Sequence, residues 1–336
     1  MLELYLPVIW AGLIATAVGL YVVLDGFDLG IGILFPAARK EEERDQMMNS
    51  VAPFWDGNET WLVLGGGGLW VAFPQAYAVI MPAMYLPVIV MLLALIFRGV
   101  SFEFRAVSKP NHHLWDYAFF GGSTVAAFAQ GVILGGLIQG ITVVDGKFGG
   151  GPFDWATPFG LLCGVGLVAG YGLLGATWLI AKTDGAVQER ARGQARFFLI
   201  AVLVLIAAVS LWTPLGFERI AQRWFAAPNI YFLWPVPLIT VALGWYVWRS
   251  LGRARDYAPF IGTVGLFVLA YLGLAISTFP YLVPPTLTVW DTAAIPESQI
   301  FTLIGVVVLL PIILGYFAFV FWTFRGKVSV GGEGYH

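Results

Sequence analysis

The stretch Leu24-Asp25-Gly26-Phe27-Asp28-Leu29-Gly30-Ile31-Gly32 decides how this chain is read. It lies inside an apolar run that covers residues 6–35. A membrane-crossing helix needs about 20 consecutive apolar residues, so the run is long enough to span and places two aspartates at membrane depth. Three residues apart, Asp25 and Asp28 share one face of a helix. Ionisable groups at that depth are costly, and they face a bundle interior or a polar path, of which a proton relay is one kind. Bonding to backbone or to an arginine is the plainer use.

Eight further apolar runs follow, at 53–73, 76–98, 114–140, 158–181, 196–213, 229–249, 258–279 and 299–324. The chain of 336 residues is 59% hydrophobic and 11% charged, with 14 Trp, 26 Phe and 13 Tyr. Its mean hydropathy is +0.81. A soluble domain of this size carries far more charge, and so many aromatic residues suit interfacial belts. The expectation is an all-α polytopic membrane protein with nine transmembrane helices, forming one transmembrane domain over 1–336. The first span has no basic region before it and no small-residue cleavage pattern after it, so it reads as uncleaved. Fifteen of the 18 Lys and Arg, among them Lys109 and Arg253, fall in alternate loops; Lys147, Arg219 and Arg223 make up the other set. The positive-inside rule then places the N-terminus outside and the C-terminus in the cytoplasm.

Two more clusters carry charge into these runs. Pro53-Phe54-Trp55-Asp56-Gly57-Asn58-Glu59-Thr60-Trp61 opens the second. Asp56 suits the positive end of a helix dipole; Glu59, Asn58 and the flanking Trp55 and Trp61 are less well explained that way. Phe97-Arg98-Gly99-Val100-Ser101-Phe102-Glu103-Phe104-Arg105 closes the third. Arg98, Glu103 and Arg105 suit a snorkelling anchor, and Arg98 also lies at the right depth to pair with an acid of the first two spans. All three clusters fall on the cytoplasmic half of consecutive spans, which suggests a polar path entering from that side. The run of four glycines at 65–68 reads as a close helix contact.

Other chemistries are poorly served. Net charge is −2, so no basic field argues for nucleic acid. One cysteine, Cys163, excludes an intrachain disulfide or multi-Cys metal site. Haem needs axial His, Met or Cys held on helices. His112 and His113 are adjacent, His336 is terminal, and Met84 and Met91 read as core filler, so no metal or haem site is expected here.

Together LDGFDLGIG (24–32), PFWDGNETWLV (53–63) and ALIFRGVSFEFR (94–105) resemble subunit II of cytochrome bd-type quinol oxidases, and FPYLVPPTLTVWD (279–291) is similar to that family's last outer loop. The likeness runs from the first span to the last, and the compact loops resemble the cyanide-insensitive branch. It implies two four-helix bundles plus one peripheral helix, in the bacterial inner membrane. It implies a haem-bearing subunit I with two b-type haems, haem d and the quinol site, and a small single-span subunit is common. The complex oxidises ubiquinol or menaquinol at the outer face and reduces O2 to water with protons drawn from the cytoplasm. By motif match, Asp56 takes the place of an acid in a proposed proton path, Asp25 and Asp28 match its first-span neighbours, and Trp61 matches a residue near a proposed O2 route. Here Glu59 stands where other members have Gln, and Glu103 where they have Asp, so the path differs in detail. Some members also bind a structural quinone in this subunit. A proton-coupled secondary transporter is the competing reading, since intramembrane acids serve both; a purely structural partner of subunit I is a third.

Overall fold

The computed structural model describes residues 2–108, 112–252 and 255–329. Lys109, Arg253 and His336 lie outside them. Thirteen α-helices make up most of the described chain: α1 (Leu2–Leu34), α2 (Glu41–Asn49), α3 (Trp55–Ala72), α4 (Pro74–Ala83), α5 (Tyr85–Val107), α6 (His112–Gln139), α7 (Pro158–Lys182), α8 (Gly185–Gly216), α9 (Glu218–Phe225), α10 (Asn229–Leu233), α11 (Pro235–Ser250), α12 (Tyr257–Thr278) and α13 (Pro296–Thr323). Two short hairpins interrupt them, β1 (Val143–Val144) with β2 (Lys147–Phe148) and β3 (Tyr281–Val283) with β4 (Leu287–Thr288).

Among the described residues eight helical segments are long and apolar enough to cross a membrane. They are α1, α5, α6, α7, α8, the pair α10–α11, α12 and α13. The chain is thus an all-α polytopic membrane protein. Helix α3 is not among the eight, because Asp56, Asn58, Glu59 and four glycines lower its hydropathy.

Proline and polar turns explain where the helices depart from the apolar runs. The run at 76–98 is divided between α4 and α5 at Met84. Pro87 has no N–H to offer the Ala83 carbonyl, so a continuous helix would lose that bond. Helix α8 starts eleven residues before its apolar run, carrying Arg190, Arg192 and Arg196 on its first turns. Helix α7 starts at Pro158, with the Thr157 hydroxyl accepting the Gly160 N–H at 3.0 Å. Helix α9 is a short amphipathic helix that the apolar runs do not reveal; it buries Ile220.

Helix α1 is the hub. It packs against α3, α6 and α7, with α12 and α13 at its flanks. Helix α5 packs on α6, α6 on α7, α7 on α8 and α12, and α11 on α12. Close approach follows from glycine. Gly65 and Gly68 of α3 lie where an added Cβ would sit 2.9 Å from Val18 and 3.1 Å from Ile14, whereas Gly66 and Gly67 face open space. Half of the glycine run therefore seats α3 on α1.

The end of the fold that carries the basic loops is tied by ions. Arg105 bonds Asp45 at 2.5 Å and Asp116 at 2.7 Å, and Arg44 reaches Asp116 at 3.2 Å. Lys182 donates to the carbonyls of Phe324 and Gly326 just past α13. Glu43 accepts Arg190 through both oxygens, at 2.8 and 3.2 Å, and the Arg39 N–H at 2.7 Å. The hydrogen bond from Arg190 pulls the Glu43 carboxyl from its ordinary 4.5 to about 2, against the opposing effect of burial. A carboxyl held low contributes its full stabilisation above 4.5 and loses it as pH falls from there toward 2. Glu43→Gln is expected to lower the melting temperature of the purified complex by about 2–4 °C at pH 7. The gap to wild type should close as pH drops below about 4.5; a gap independent of pH would show that the pair does not hold this end together.

Candidate functional site

Arg98 of α5 is fully buried, and the site is built around its guanidinium. NH2 donates to Asp25 Oδ1 at 2.9 Å and lies 3.6 Å from Asp28 Oδ2; NH1 donates to Glu59 Oε1 at 2.5 Å. Asp25 and Asp28 are fully buried, while the Glu59 side chain is 29% exposed. Asn58 donates to Asp28 Oδ2 at 2.7 Å and to the Leu24 carbonyl at 3.2 Å. The rings of Trp55 and Phe102 stack 4.8 Å apart, and Arg98 lies 5.6 Å from each. Arg98 is therefore no snorkelling anchor. It is the shared counter-charge of three acids from α1 and α3, with its planar donors divided among them.

The local sequence makes this assembly. The i, i+3 spacing of Asp25 and Asp28 turns both carboxyls toward α3 and α5, and Asn58 and Glu59 follow one another at the start of α3. Gly99 lets Trp55 lie flat, since a Cβ there would come within 3.3 Å of the indole. Several polar atoms at the site are buried without a protein partner: Asp25 Oδ2, Asp28 Oδ1, Asn58 Oδ1 and Arg98 Nε. Trp61, 2% exposed, packs near Tyr21 and tilts against Phe317 at 5.4 Å, and its Nε1 likewise has no partner.

Other sequence candidates sit elsewhere. Asp56 is exposed in the first turn of α3, next to Glu59 but outside the ion-pair cluster. Glu103 is exposed on α5. Arg105 belongs to the second cluster with Asp45 and Asp116. Arg98 and Arg105 are seven residues apart, about 10 Å along the helix. A layer of phenyl rings lies between them: Phe35 and Phe102 each meet Phe119 edge-on, at 5.0 and 5.2 Å. Arg105 lies 5.7 Å from the Phe35 ring. The partly open side of the Arg98 cluster is thus at Glu59.

Sequence reasoning missed a polar chain on the other side. Tyr171 of α7 donates to Gln130 Oε1 of α6 at 2.8 Å, and Gln130 Nε2 donates to Tyr21 Oη of α1 at 2.7 Å. Tyr21 lies one turn from Asp25 on the same face of α1. An amide in the middle of an apolar run is the signal that could have found Gln130.

The described residues do not fit a haem. His112 lies beside His113 at the start of α6, 3.7 Å from Glu41, and Met84 and Met91 are buried in the core. Among the described residues no group of three His, Cys, Asp or Glu is arranged to hold a metal ion.

Fold and site define a polytopic membrane protein with an acid–arginine cluster buried among its helices and partly open at Glu59. Residues 6–324 match the model of one family, cytochrome bd terminal oxidase subunit II. The chain is 32% identical to cytochrome bd-I ubiquinol oxidase subunit 2 of Escherichia coli K12 over 361 residues, covering 96% of this chain and 94% of the relative. Identity to cytochrome bd ubiquinol oxidase subunit 2 of Bacillus subtilis is 29%, over 96% of both chains. A chain in the solved structure of bd oxidase from Geobacillus thermodenitrificans superimposes with a TM-score of 0.72 at 19% identity, over 95% of this chain and 98% of that one. The chain belongs to the cytochrome bd terminal oxidase subunit II family. It is accordingly a subunit of a quinol oxidase, an oxidoreductase complex that contains haem and a subunit I.

Proposed function

We propose that this chain is the haem-free subunit of the oxidase and supplies a proton path from the cytoplasm toward the oxygen-reducing centre. The observation that carries the proposal is the acid–arginine cluster: three carboxyls on one guanidinium, two of them sealed from solvent and one reaching a partly open side. Asp56 lies one turn outward from Glu59 and takes the outermost place on the path; Asp28 and Asp25 take the innermost. Trp55, Asn58 and Arg98 hold the carboxyls in place. Glu103 and Arg105 belong to the surface and to the neighbouring cluster, and they serve the entrance rather than the path itself. Trp61 faces an apolar cavity of about 50 Å³ between α1, α3 and α13, a suitable place for O2 access.

In this proposal the whole chain is one transmembrane domain. Helix α3 is the ninth span despite its charges, because it packs on α1 beside helices that do span. The first four spans form one four-helix bundle, the next four a second, and α13 is peripheral. The N-terminus is outside and the basic loops are in the cytoplasm of a bacterial inner membrane. The b haems and haem d sit in subunit I, in keeping with the poor fit of this chain's residues to haem. A small single-span subunit is common in the family, and some members bind a structural quinone in this subunit.

The deciding experiment is Asp56→Asn in the purified complex. Haem content should stay near wild type, while quinol-driven O2 uptake per haem falls at least about tenfold, the lower range for loss of a positioned proton carrier. If Asp56 serves only the helix dipole, haem content and total activity fall together and uptake per haem stays at the wild-type value, which rejects its place on the path.

A further inference from the structure

We infer that the two buried carboxyls of α1 divide the work, with Asp25 the fixed counter-charge of Arg98 and Asp28 the carrier of the exchangeable proton. The inference rests on the proton path proposed above and assigns its inner end. The surroundings of the two acids differ in kind. Asp25 faces a cation and a hydroxyl. Arg98 bonds it at 2.9 Å, and a guanidinium cannot accept a hydrogen bond. Its second neighbour is Tyr21, one turn away on the same helix face, whose oxygen already accepts Gln130 Nε2 at 2.7 Å, so its hydroxyl hydrogen is free to turn toward Asp25 Oδ2, which has no partner of its own. Tyr171 fixes the Gln130 amide by donating to its oxygen at 2.8 Å, with both tyrosines buried. Arg98, Tyr21, Gln130 and Tyr171 therefore form a ready-made holder for a carboxylate, and a protonated Asp25 would have to give up part of the Arg98 bond or turn the Tyr21 hydroxyl away.

Asp28 faces a different set. Arg98 lies 3.6 Å away, beyond hydrogen-bond distance, and the one direct bond comes from the neutral amide of Asn58 at 2.7 Å. An amide serves both states of a carboxyl, donating to the anion and, turned over, accepting from the acid. Asp28 Oδ1 is buried without a protein partner, as Asp25 Oδ2 is, but only Asp28 has beside it an amide oxygen, Asn58 Oδ1, that is likewise unpartnered and able to accept. The charges point the same way. Arg98 is already within bonding distance of Asp25 and Glu59, at 2.9 and 2.5 Å, so two negative charges meet its single positive one. A third buried anion on Asp28 has no counter-charge of its own, and such a charge is costly to hold. Glu59, with Asp56 beside it, is the titratable group between Arg98 and the partly open side. In the step itself, Asp28 Oδ1 takes up a proton and releases it, and no other bond changes.

The test uses the purified complex and reads O2 uptake per haem alongside haem content across pH. Asp28→Asn should keep wild-type haem content and lose at least about tenfold in uptake per haem, with Asp28→Glu recovering part of it. Tyr21→Phe should keep its haem and lose roughly threefold, because Asp25 then competes for the proton, and Gln130→Leu should match it. The double variant with Asp28→Asn should be no slower than Asp28→Asn alone, since both act on one proton. Wild-type uptake per haem in Asp28→Asn with a slow Asp25→Asn would overturn the division, as would loss of haem in Asp28→Asn or wild-type uptake per haem in Tyr21→Phe. Wild-type uptake per haem in both aspartate variants would instead reject the proton path on which the inference rests.

Discussion

Arg98→Met is expected to reduce the assembled, haem-bearing complex to a few per cent of its wild-type yield or less. The side chain removed is fully buried and is the cation shared by Asp25, Asp28 and Glu59. Removing one partner of a buried ion pair leaves an uncompensated charge and costs about 3–5 kcal/mol. Three carboxyls share this cation, so the upper part of that range applies, a factor of roughly a thousand in the folding equilibrium constant. Arg98→Lys should fall between the two. An ammonium is a single point of charge, and it cannot keep the separate bonds that NH1 makes to Glu59 and NH2 to Asp25. Neutralising the acids as well should recover yield, because exchanging a whole buried ionic group for neutral residues is far gentler than breaking it. The Arg98→Met, Asp25→Asn, Asp28→Asn triple variant is therefore expected to assemble better than Arg98→Met alone, though without turnover. Yield is read from the haem absorbance of the solubilised membrane and from native gels. A wild-type yield of Arg98→Met would show that the ion pairs do not hold α1, α3 and α5 together.

The parts of this site that were legible in the sequence are those that break a rule of composition. A charge inside an apolar run stands out, so Asp25, Asp28, Glu59 and Arg98 could be singled out and their convergence anticipated from depth alone. The same reasoning grouped Arg105 and Glu103 with them, because both follow Arg98 on one helix. The structure separates Arg105 from them by the layer of Phe35, Phe102 and Phe119, and leaves Glu103 exposed on α5. Of the partners of Arg105, Asp45 comes from a polar stretch where an acid attracts no notice, and Asp116 stands at the very start of the run at 114–140, where a charge marks a span's edge. Tyr21 and Tyr171 were hidden for a different reason. Tyrosine is common both in apolar cores and in interfacial belts, so its sequence context does not reveal a hydroxyl used at depth. The fold itself was legible wherever apolar length decided it. It was blurred where proline broke a run, as between α4 and α5, and where a short amphipathic helix such as α9 has too few apolar residues to register.

Gly30→Val is expected to abolish assembly of the complex, and Gly30→Ala to reduce it severely. Gly30 marks the place where α1 and α7 touch through their backbones. A Cβ there would overlap the Tyr171 carbonyl oxygen and come within 2.7 Å of Gly175 N; from the other side, a Cβ on Gly175 would lie 2.6 Å from Ile31 N. Backbone atoms cannot move aside as a side chain does, so the two helices must separate. Small residues permit this contact, and in a membrane, packing of this kind is a main source of helix association. Overpacking a tight site costs about 1–3 kcal/mol and more where no rotamer relieves it. The separation also reaches the polar chain. Gly26, one turn from Gly30, leaves room for the Tyr171 ring, which a Cβ there would approach to 2.8 Å. Pushing α7 outward thus draws the Tyr171 hydroxyl away from Gln130, and with it the support that Gln130 gives Tyr21 and Asp25. The control is Gly66→Ala in α3, where nothing lies within 4 Å of the added carbon. That change should be neutral or slightly stabilising, since alanine favours a helix over glycine by about 1 kcal/mol. Yield and melting temperature of the two alanine variants, measured side by side, separate the loss of close packing from any general effect of replacing glycine. Equal behaviour of Gly30→Ala and Gly66→Ala would mean that α1 and α7 do not meet as closely as the structure has them.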